Sequence, residues 1–506
     1  MKLYIILPVL LLSLFGNASY AVEKVEQWRI FEKTYRLKAN GNPFDDVKLK
    51  ATFINGRDTV SVKGFYDGSD MFKVRFMPDK PGLWKYRVSF VGTNHKAKNG
   101  LLECVPATTG NHGPVTADSV GFAYADGTRY IPFGTTCYAW AYQSDDLKRE
   151  TIETLGGSCF NKLRMCVFPK SYDWNHNEPE LYPFEGEPGN WDFSRLNPAY
   201  FRNIERCVAS LDSLGIEADI IVFHPYDRWG FSSIGPAERE RYMQYLISRL
   251  GAWKNVWWSM ANEYDFMNAY TELDWKRHLE FFATNDPYNH LRSIHNGVKL
   301  YDHNDPNVTH VSIQAPDTEN AGNLCSKYGK PVIYDECRYE GNIPWVWGTL
   351  SGEEMLQKFW NGFLSGGFVG HGEVLLSDNS IAPEKSDEVL WWSKGGALRG
   401  KSPERIGFLR KILEKLPGAG NPVKGITGWQ NYPALGCDNK WFLIYTGRDI
   451  HCQMVLELPD NSDYKISLID TWNMEITPVE GLFRGRSLVP IKEIPYMAIL
   501  ITAAND

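Results

Sequence analysis

Residues 216–264 read IEADIIVFHPYDRWGFSSIGPAERERYMQYLISRLGAWKNVWWSMANEY. Ala218 to Phe223 is a short, continuous apolar run, the signature of a strand buried on both faces. Tyr242, Leu246 and Leu250 then recur at helical spacing. Val256-Trp257-Trp258-Ser259-Met260 is a second apolar run. Strand, helix, strand in this order is one unit of a parallel sheet, because parallel neighbours need a crossover. The same rhythm extends both ways. Upstream lie Gly134 to Tyr138, Phe160 to Phe168, and a helix with apolar positions Phe201, Ile204, Val208, Leu211 and Leu214 that stops at Gly215. Downstream lie Leu291 to His295, Val311 to Gln314, Pro331 to Tyr334 and Phe363 to His371. That makes eight strand candidates between residues 115 and 415. No G-x-G-x-x-G follows the first of them, so the pattern predicts a closed (β/α)₈ TIM barrel rather than a doubly wound sheet.

The flanks differ. Between residues 22 and 107, Phe72, Val74 and Phe76 alternate with polar neighbours, Pro81-Gly82 signals a turn, and Trp84, Tyr86, Val88 and Phe90 alternate again. Leu49, Ala51 and Phe53 repeat the pattern. Two such runs joined by Pro-Gly predict a hairpin with one buried face, inside an N-terminal β-sandwich. Thr108 to Pro114 reads as a short linker. From 418 to 506, Trp441 to Tyr445 and Ala498 to Ile501 predict a smaller C-terminal β domain. Neither flank offers a paired-carboxylate site, so both are expected to support the central domain. Residues 1–21 have one charge, Lys2, an apolar run from Leu3 to Phe15, and a small-x-small ending at Ala21. They read as a secretory signal peptide, which predicts export to the periplasm or beyond the cell.

Composition narrows the partners. Lys+Arg is 54 and Asp+Glu 61, a net charge of −7, a poor match for nucleic acid phosphates. Outside the leader no segment has the length of apolar residues that membrane insertion needs. The nine cysteines lack C-x-x-C spacing and read as small buried residues, and no metal or organic cofactor is implied. Aromatic residues are abundant at 14%, with 18 Trp, and flat apolar rings suit the CH faces of sugars.

In a barrel the chemistry sits where strands end at their C-termini. The fourth strand ends Met260-Ala261-Asn262-Glu263 and the seventh ends Tyr334-Asp335-Glu336. Each therefore delivers a carboxylate to one mouth, and two facing carboxylates are the equipment of glycoside hydrolysis. Asp335 and Glu336 are rivals, but strand neighbours point to opposite faces, so only one can serve.

Asn262-Glu263 with Glu336 resembles the retaining (β/α)₈ glycoside hydrolases of clan GH-A. The N-terminal stretches NPFDDVKLKATF and GFYDGSDMFKVRFMPDKPGLWKYRVSF resemble a sandwich domain of unknown function that precedes apiosidase-like barrels in bacterial polysaccharide-degrading enzymes. The resemblance implies Glu263 as acid/base and Glu336 as nucleophile. It also implies substrate-binding roles for Arg164 beside the nucleophile, His224 after strand three, and Asn262. Many clan members carry a Tyr at the end of strand six; here Gln314 stands nearby, with His295 and Asn296 ending strand five. Trp140 and Trp229, close to strand ends, are the expected sugar platforms, ahead of Trp174, Trp345 and Trp347. Glu373, after strand eight, can bond a hydroxyl. The implied activity is retaining hydrolysis of a carbohydrate. A barrel that binds sugars without cleaving them, or a transglycosylase on the same residues, are the alternatives.

Overall fold

The computed structural model describes residues 22–504, except 173–174, 383–384 and 386–388. The leader, residues 1–21, and Trp174 lie outside the described residues. Among the described residues no helix is long and apolar enough to cross a membrane.

The N-terminal unit has eight strands: β1 Glu23–Glu26, β2 Phe31–Arg36, β3 Lys48–Asn55, β4 Asp58–Lys63, β5 Phe65–Tyr66, β6 Met71–Phe76, β7 Gly82–Val91 and β8 Lys98–Val105. They form two sheets, β1-β8-β7-β3-β4 and β2-β6-β5. Phe31, Phe53, Val74, Phe76, Trp84 and Val88 make the core between them. The alternation of β6 and β7 is as the sequence implied, but the two do not form a hairpin. β6 pairs with β2 and β7 with β3 and β8, so the Pro81-Gly82 turn carries the chain from one sheet to the other. Both runs bury their apolar faces against one another across the core instead of pairing edge to edge. Phe76 stacks on Phe53 at 3.9 Å and meets Trp84 edge-on at 5.0 Å.

This unit docks on the central one through an ionic cluster with little exposure. Arg249 pairs with Asp67 at 2.7 Å and with Glu205 at 2.9 Å. Arg75 reaches Glu205 at 2.6 Å and donates to the Arg249 carbonyl at 2.7 Å. Phe44 and Phe65 pack edge-on against Tyr245, joining the central core.

The central unit holds eight parallel strands. Gly134–Thr136, Lys162–Cys166, Glu217–Phe223, Val256–Ala261 and Arg292–Ser293 lie side by side in that order. Val311–Gln314, Val332–Glu336 and Phe368–Val369 make a second parallel group. We number these the first to the eighth parallel strand. A parallel bridge between Gly134 and Gly370 joins the first strand to the chain leaving the eighth. Gly370 is required there: a Cβ would fall 2.9 Å from the Asp335 carbonyl oxygen. Helices Asp145–Gly156, Pro198–Ser213, Pro236–Leu250 and Glu272–Asn285 follow the first four strands. Ala321–Tyr328, Gly352–Leu364 and Ser402–Lys415 follow the last three. The fifth connection, residues 294–310, is a loop. Helix Pro198–Ser213 ends as the sequence indicated, with Gly215 in the left-handed region at φ +69°.

Beyond helix Ser402–Lys415 the chain forms a six-stranded sheet that includes Trp441–Gly447, Tyr464–Asp470 and Met497–Ala503. Tyr445 stacks on Trp360 of helix Gly352–Leu364 at 5.3 Å, and Arg405 lies 3.9 Å over the Trp472 ring. Trp441 is buried and donates to the Pro417 carbonyl at 2.8 Å, so it serves packing. All nine cysteines are free and six are buried, as small core residues should be.

Candidate active site

Polar and charged residues gather at and just past the C-terminal ends of the parallel strands. Gln314, Glu336, Glu263, Tyr226, Lys170 and Glu373 all lie at, or within four residues of, a strand's C-terminal end. They converge on a cavity of about 520 Å³, which Tyr172, Phe266, Tyr339, Trp345, Val346 and Trp347 complete.

Glu263 sits just past the fourth strand with φ +50° and ψ +55°. A non-glycine residue held left-handed costs about 1–3 kcal/mol and persists only where its surroundings impose it. Here the Asn262 amide is bonded to the Phe223 carbonyl at 3.0 Å and the Tyr264 amide to the His295 carbonyl at 3.0 Å. The backbone is thus clamped on both sides of the turn. Glu263 Oε2 accepts from Asn262 Nδ2 at 3.0 Å and Oε1 from Gln314 Nε2 at 3.3 Å. The Tyr226 hydroxyl bonds the same carboxyl. Burial, and then the charge of Glu336, push the Glu263 carboxyl up to about 7.

Glu336 ends the seventh strand and is 4% exposed. Tyr138 donates to its Oε1 at 2.5 Å, and the Tyr339 hydroxyl donates to Oε2. Burial and the neighbouring Glu336 charge hold both phenols well above their ordinary range, so both act as donors. The bonds that a strand-six Tyr would make thus come from the end of the first strand and from three residues beyond Glu336 itself.

Asp335 also points inward but does not line the cavity, being tied instead to side chains of the second and sixth parallel strands. It lies in a polar layer beneath the cavity, 2.8 Å from Lys162, 2.9 Å from Arg164 and 2.5 Å from Ser312 Oγ. Although burial works against it, Lys162 and Arg164 hold its carboxyl well below the usual range.

Lys170 is 5% exposed and lines the cavity with its ammonium inside a cage of tyrosines. Nζ lies 4.1 Å from the ring centre of Tyr138, 4.2 Å from Tyr172 and 4.5 Å from Tyr226. Desolvated cation–π contacts of this kind attract an ammonium to the ring faces; among the described residues no carboxylate forms an ion pair with Lys170. Glu373 accepts from Tyr172 at 3.2 Å. Burial, opposed by Lys170 and reinforced by Glu336, pushes it up to about 7.

Several sequence assignments need correction. Arg164 does not contact Glu336. It pairs with Asp335 and donates to Asn262 Oδ1 at 3.2 Å, so it reaches Glu263 through Asn262. Asn262, 1% exposed, does not line the cavity and positions Glu263. His224 is fully buried, with Nε2 against the Phe168 carbonyl at 3.1 Å and Nδ1 accepting the Tyr226 amide at 3.2 Å. Burial lowers it to about 3, so it is a neutral prop under Tyr226. Trp140 is 1% exposed within the central core. Trp229 stacks on Phe231 and donates to Glu178 at 2.9 Å. Neither indole lines the cavity: Trp140 is packed in the central core, and Trp229 lies against Phe231 and Glu178. Trp345, 45% exposed, and Trp347 line the mouth instead. Gln314 lines it as expected. Lys170, Tyr138, Tyr226 and Tyr339 were missed, although each lies within four residues of a strand end.

Residues 119–418 match the family model described as "Apiosidase-like, catalytic domain". The chain belongs to the apiosidase-like family. Residues 24–91 and 429–502 of this apiosidase-like chain match two domains of unknown function, DUF5060 and DUF5605. A Bacteroides vulgatus ATCC 8482 protein assigned by name to the glycoside hydrolases is 37% identical; the match covers 95% of this chain and 100% of that one, with a TM-score of 0.89. A family 5 glycoside hydrolase from the same organism, at 13% identity, 78% and 95% coverage and a TM-score of 0.61, shares the fold. So does a further glycoside hydrolase at 12% identity, 78% and 98% coverage and a TM-score of 0.61. No curated protein matches. The apiosidase-like chain is a glycoside hydrolase, and its substrate is a carbohydrate.

Proposed function

We propose that this glycoside hydrolase retains anomeric configuration, with Glu263 as acid/base and Glu336 as nucleophile. The unequal surroundings of the two carboxyls in one cavity carry the reading. Glu263 is raised to about 7, so it holds a proton to give to the leaving oxygen. Glu336 is gripped by two phenol donors, which suit a carboxylate and aim it. Glu336 attacks the anomeric carbon as Glu263 protonates the departing oxygen. A glycosyl-enzyme ester forms on Glu336. Glu263, now ionised, takes a proton from water, which displaces Glu336 and releases the sugar.

The eight parallel strands close as a (β/α)₈ barrel in this reading. The Gly134–Gly370 bridge supports closure, as does Lys162, which bonds Asp219 of the neighbouring strand at 2.6 Å and Asp335 of the seventh at 2.8 Å. Residues 22–107, 115–415 and 418–506 are the proposed domains, and the leader directs export. The test is a screen of the purified protein against polysaccharides and aryl glycosides, with the first-formed anomer read by NMR. Retention is expected; inversion would refute the mechanism, and sugar binding without turnover would favour a non-catalytic protein.

A further inference from the structure

One face of the sheet β1-β8-β7-β3-β4 closes the sandwich core and the other faces outward. Directly paired residues of an antiparallel ladder share a face. The registers Lys50↔Ser89, Thr52↔Arg87 and Ile54↔Lys85 therefore put Lys50, Lys85 and Arg87 outward together. Lys48 and Lys63 share this face, Lys48 paired with Asp45 at 3.9 Å and Lys63 donating to Gln244 and Asn285 of the central unit at 2.5 and 2.9 Å. The acid on the same positions of β3, β4, β7 and β8 is Glu103, already paired with Lys24 at 3.1 Å. Among the described residues Lys50, Lys85 and Arg87 are exposed and form no ion pair. Lys50 stands directly opposite Lys63, an arrangement of like charges that destabilises a sheet. A chain of net charge −7 thus concentrates cations on one sheet face at a cost in stability.

The face also has relief. A groove of about 620 Å³ crosses β3, β7 and β8, lined by Lys85 and Arg87, by the aliphatic Ile54 and Leu101, and by Tyr86, whose ring is turned into the sandwich core. Thr52 and Asn99 add uncharged hydrogen-bonding groups. Residues two apart on a strand are about 7 Å apart and neighbouring strands about 4.8 Å, so the cations recur at the scale of successive sugars. The outward positions of these strands carry no aromatic side chain on which a nucleic acid base would stack.

We propose that this outer face binds a polyanionic glycan with a carboxylate on its sugars, a uronate polymer, away from the active-site cavity. The inference rests on the chain's being a carbohydrate hydrolase, and it gives the N-terminal unit a role besides docking. The bound polymer lies across β7 and β3, its carboxylates on Lys50, Lys85 and Arg87 and its sugar CH faces on Ile54 and Leu101.

The test is calorimetric titration of the full chain with polygalacturonate at low salt. Binding is expected, weakening with salt at a log–log slope of about −2 for roughly three displaced counterions. The variant Lys50→Ser/Lys85→Ser/Arg87→Ser should bind about tenfold or more weakly. Its melting temperature should not fall, because the Lys50–Lys63 opposition is relieved. Lys411→Ser/Lys415→Ser/Lys465→Ser, an equal charge change elsewhere, should bind as the parent does. Glu263→Gln/Glu336→Gln should also bind as the parent does, which separates this face from the catalytic reading. A failed turnover screen with polygalacturonate binding intact would count against that reading alone. No binding, equal weakening in both triple variants, equal binding of the carboxyl-reduced polymer, tighter binding of dextran sulfate or duplex DNA, or loss of binding in the active-site pair would each overturn the proposal.

Discussion

Replacing Lys170 by Met removes the cation that lines the cavity and leaves an apolar side chain of similar length among three tyrosine rings. Lys170 favours the ionised form of Glu263, against burial and Glu336. Without it the Glu263 proton is held more tightly, and the acid form needed for the first step survives to higher pH. The size follows from the contacts. Nζ lies 4.5 Å from the Tyr226 ring centre, and the Tyr226 hydroxyl bonds Glu263. Ring radius and hydrogen bond then put the ammonium about 7–10 Å from the carboxyl. At an effective dielectric constant of about 20 that is roughly 2 kcal/mol, or about one to one and a half pH units. The assay is kcat/KM against pH on an aryl glycoside from the screen, with Lys170→Arg as the charge-keeping control. In the parent the basic limb should fall near 7, where Glu263 loses its proton. Lys170→Met should move that limb up by about one unit, and Lys170→Arg should leave it close to the parent. A limb that stays in place or moves down in Lys170→Met would refute the electrostatic reasoning, whatever the loss in absolute rate.

Tyr138→Phe and Tyr339→Phe each remove one phenol from Glu336; a hydrogen bond to a charged group is worth about 1.5–3 kcal/mol, so kcat/KM should drop roughly 10- to 100-fold in each, and parent-like rates would show that the phenols do not aim the nucleophile. Glu217 is fully buried beside Trp257, and burial pushes its carboxyl up to about 8. Between its ordinary 4.5 and about 8 the unfolded chain ionises this group while the folded chain keeps the proton, so stability falls as pH rises. Glu217→Gln removes that loss: relative to the parent it should gain up to about 4 kcal/mol on going from pH 5 to pH 8 in urea unfolding, and a pH-independent difference would contradict the assignment. Arg249→Leu removes the most buried partner of Asp67 at the junction of the N-terminal and central units, leaving Asp67 with Lys73 and Arg202 and Glu205 with Arg75, which should cost about 2 kcal/mol; a parent-like urea midpoint would mean that the junction does not depend on this cluster.

Parallel strands such as Glu217–Phe223 and Val256–Ala261 were legible as short, largely apolar runs, whereas Gly134–Thr136 and Arg292–Ser293 are not apolar themselves, and Glu263 and Glu336 stood out as acids at or within two residues of the end of such a run. The connection of β6 to β7 was not legible. A period of two shows which side chains are buried, but an arch between sheets and a hairpin within one bury the same residues, Phe76 and Trp84 included. The tryptophans failed for a related reason. Trp140 and Trp229 follow strand ends closely in sequence, yet proximity to a strand end does not say whether an indole turns to the cavity, as Tyr226 does from the loop of Trp229, or into the packing behind it. Trp345 and Trp347, further along their loop, stand at the cavity. Lys170 carried no signal of its own, since an isolated Lys in a loop is usually solvated. Its role arises from three tyrosines that come from three separate strand ends.

The division of labour between Glu263 and Glu336 is tested most directly by azide rescue. On an aryl glycoside with an activated leaving group, Glu263→Ala should still form the glycosyl-enzyme, because that departure needs no proton, and should stall at its hydrolysis. Azide needs no general base, so it should restore turnover and yield a glycosyl azide of retained configuration. Glu336→Ala should show no turnover of this substrate on the retaining path, with or without salt. Equal loss in both variants, with no rescue of Glu263→Ala by azide, would contradict the account.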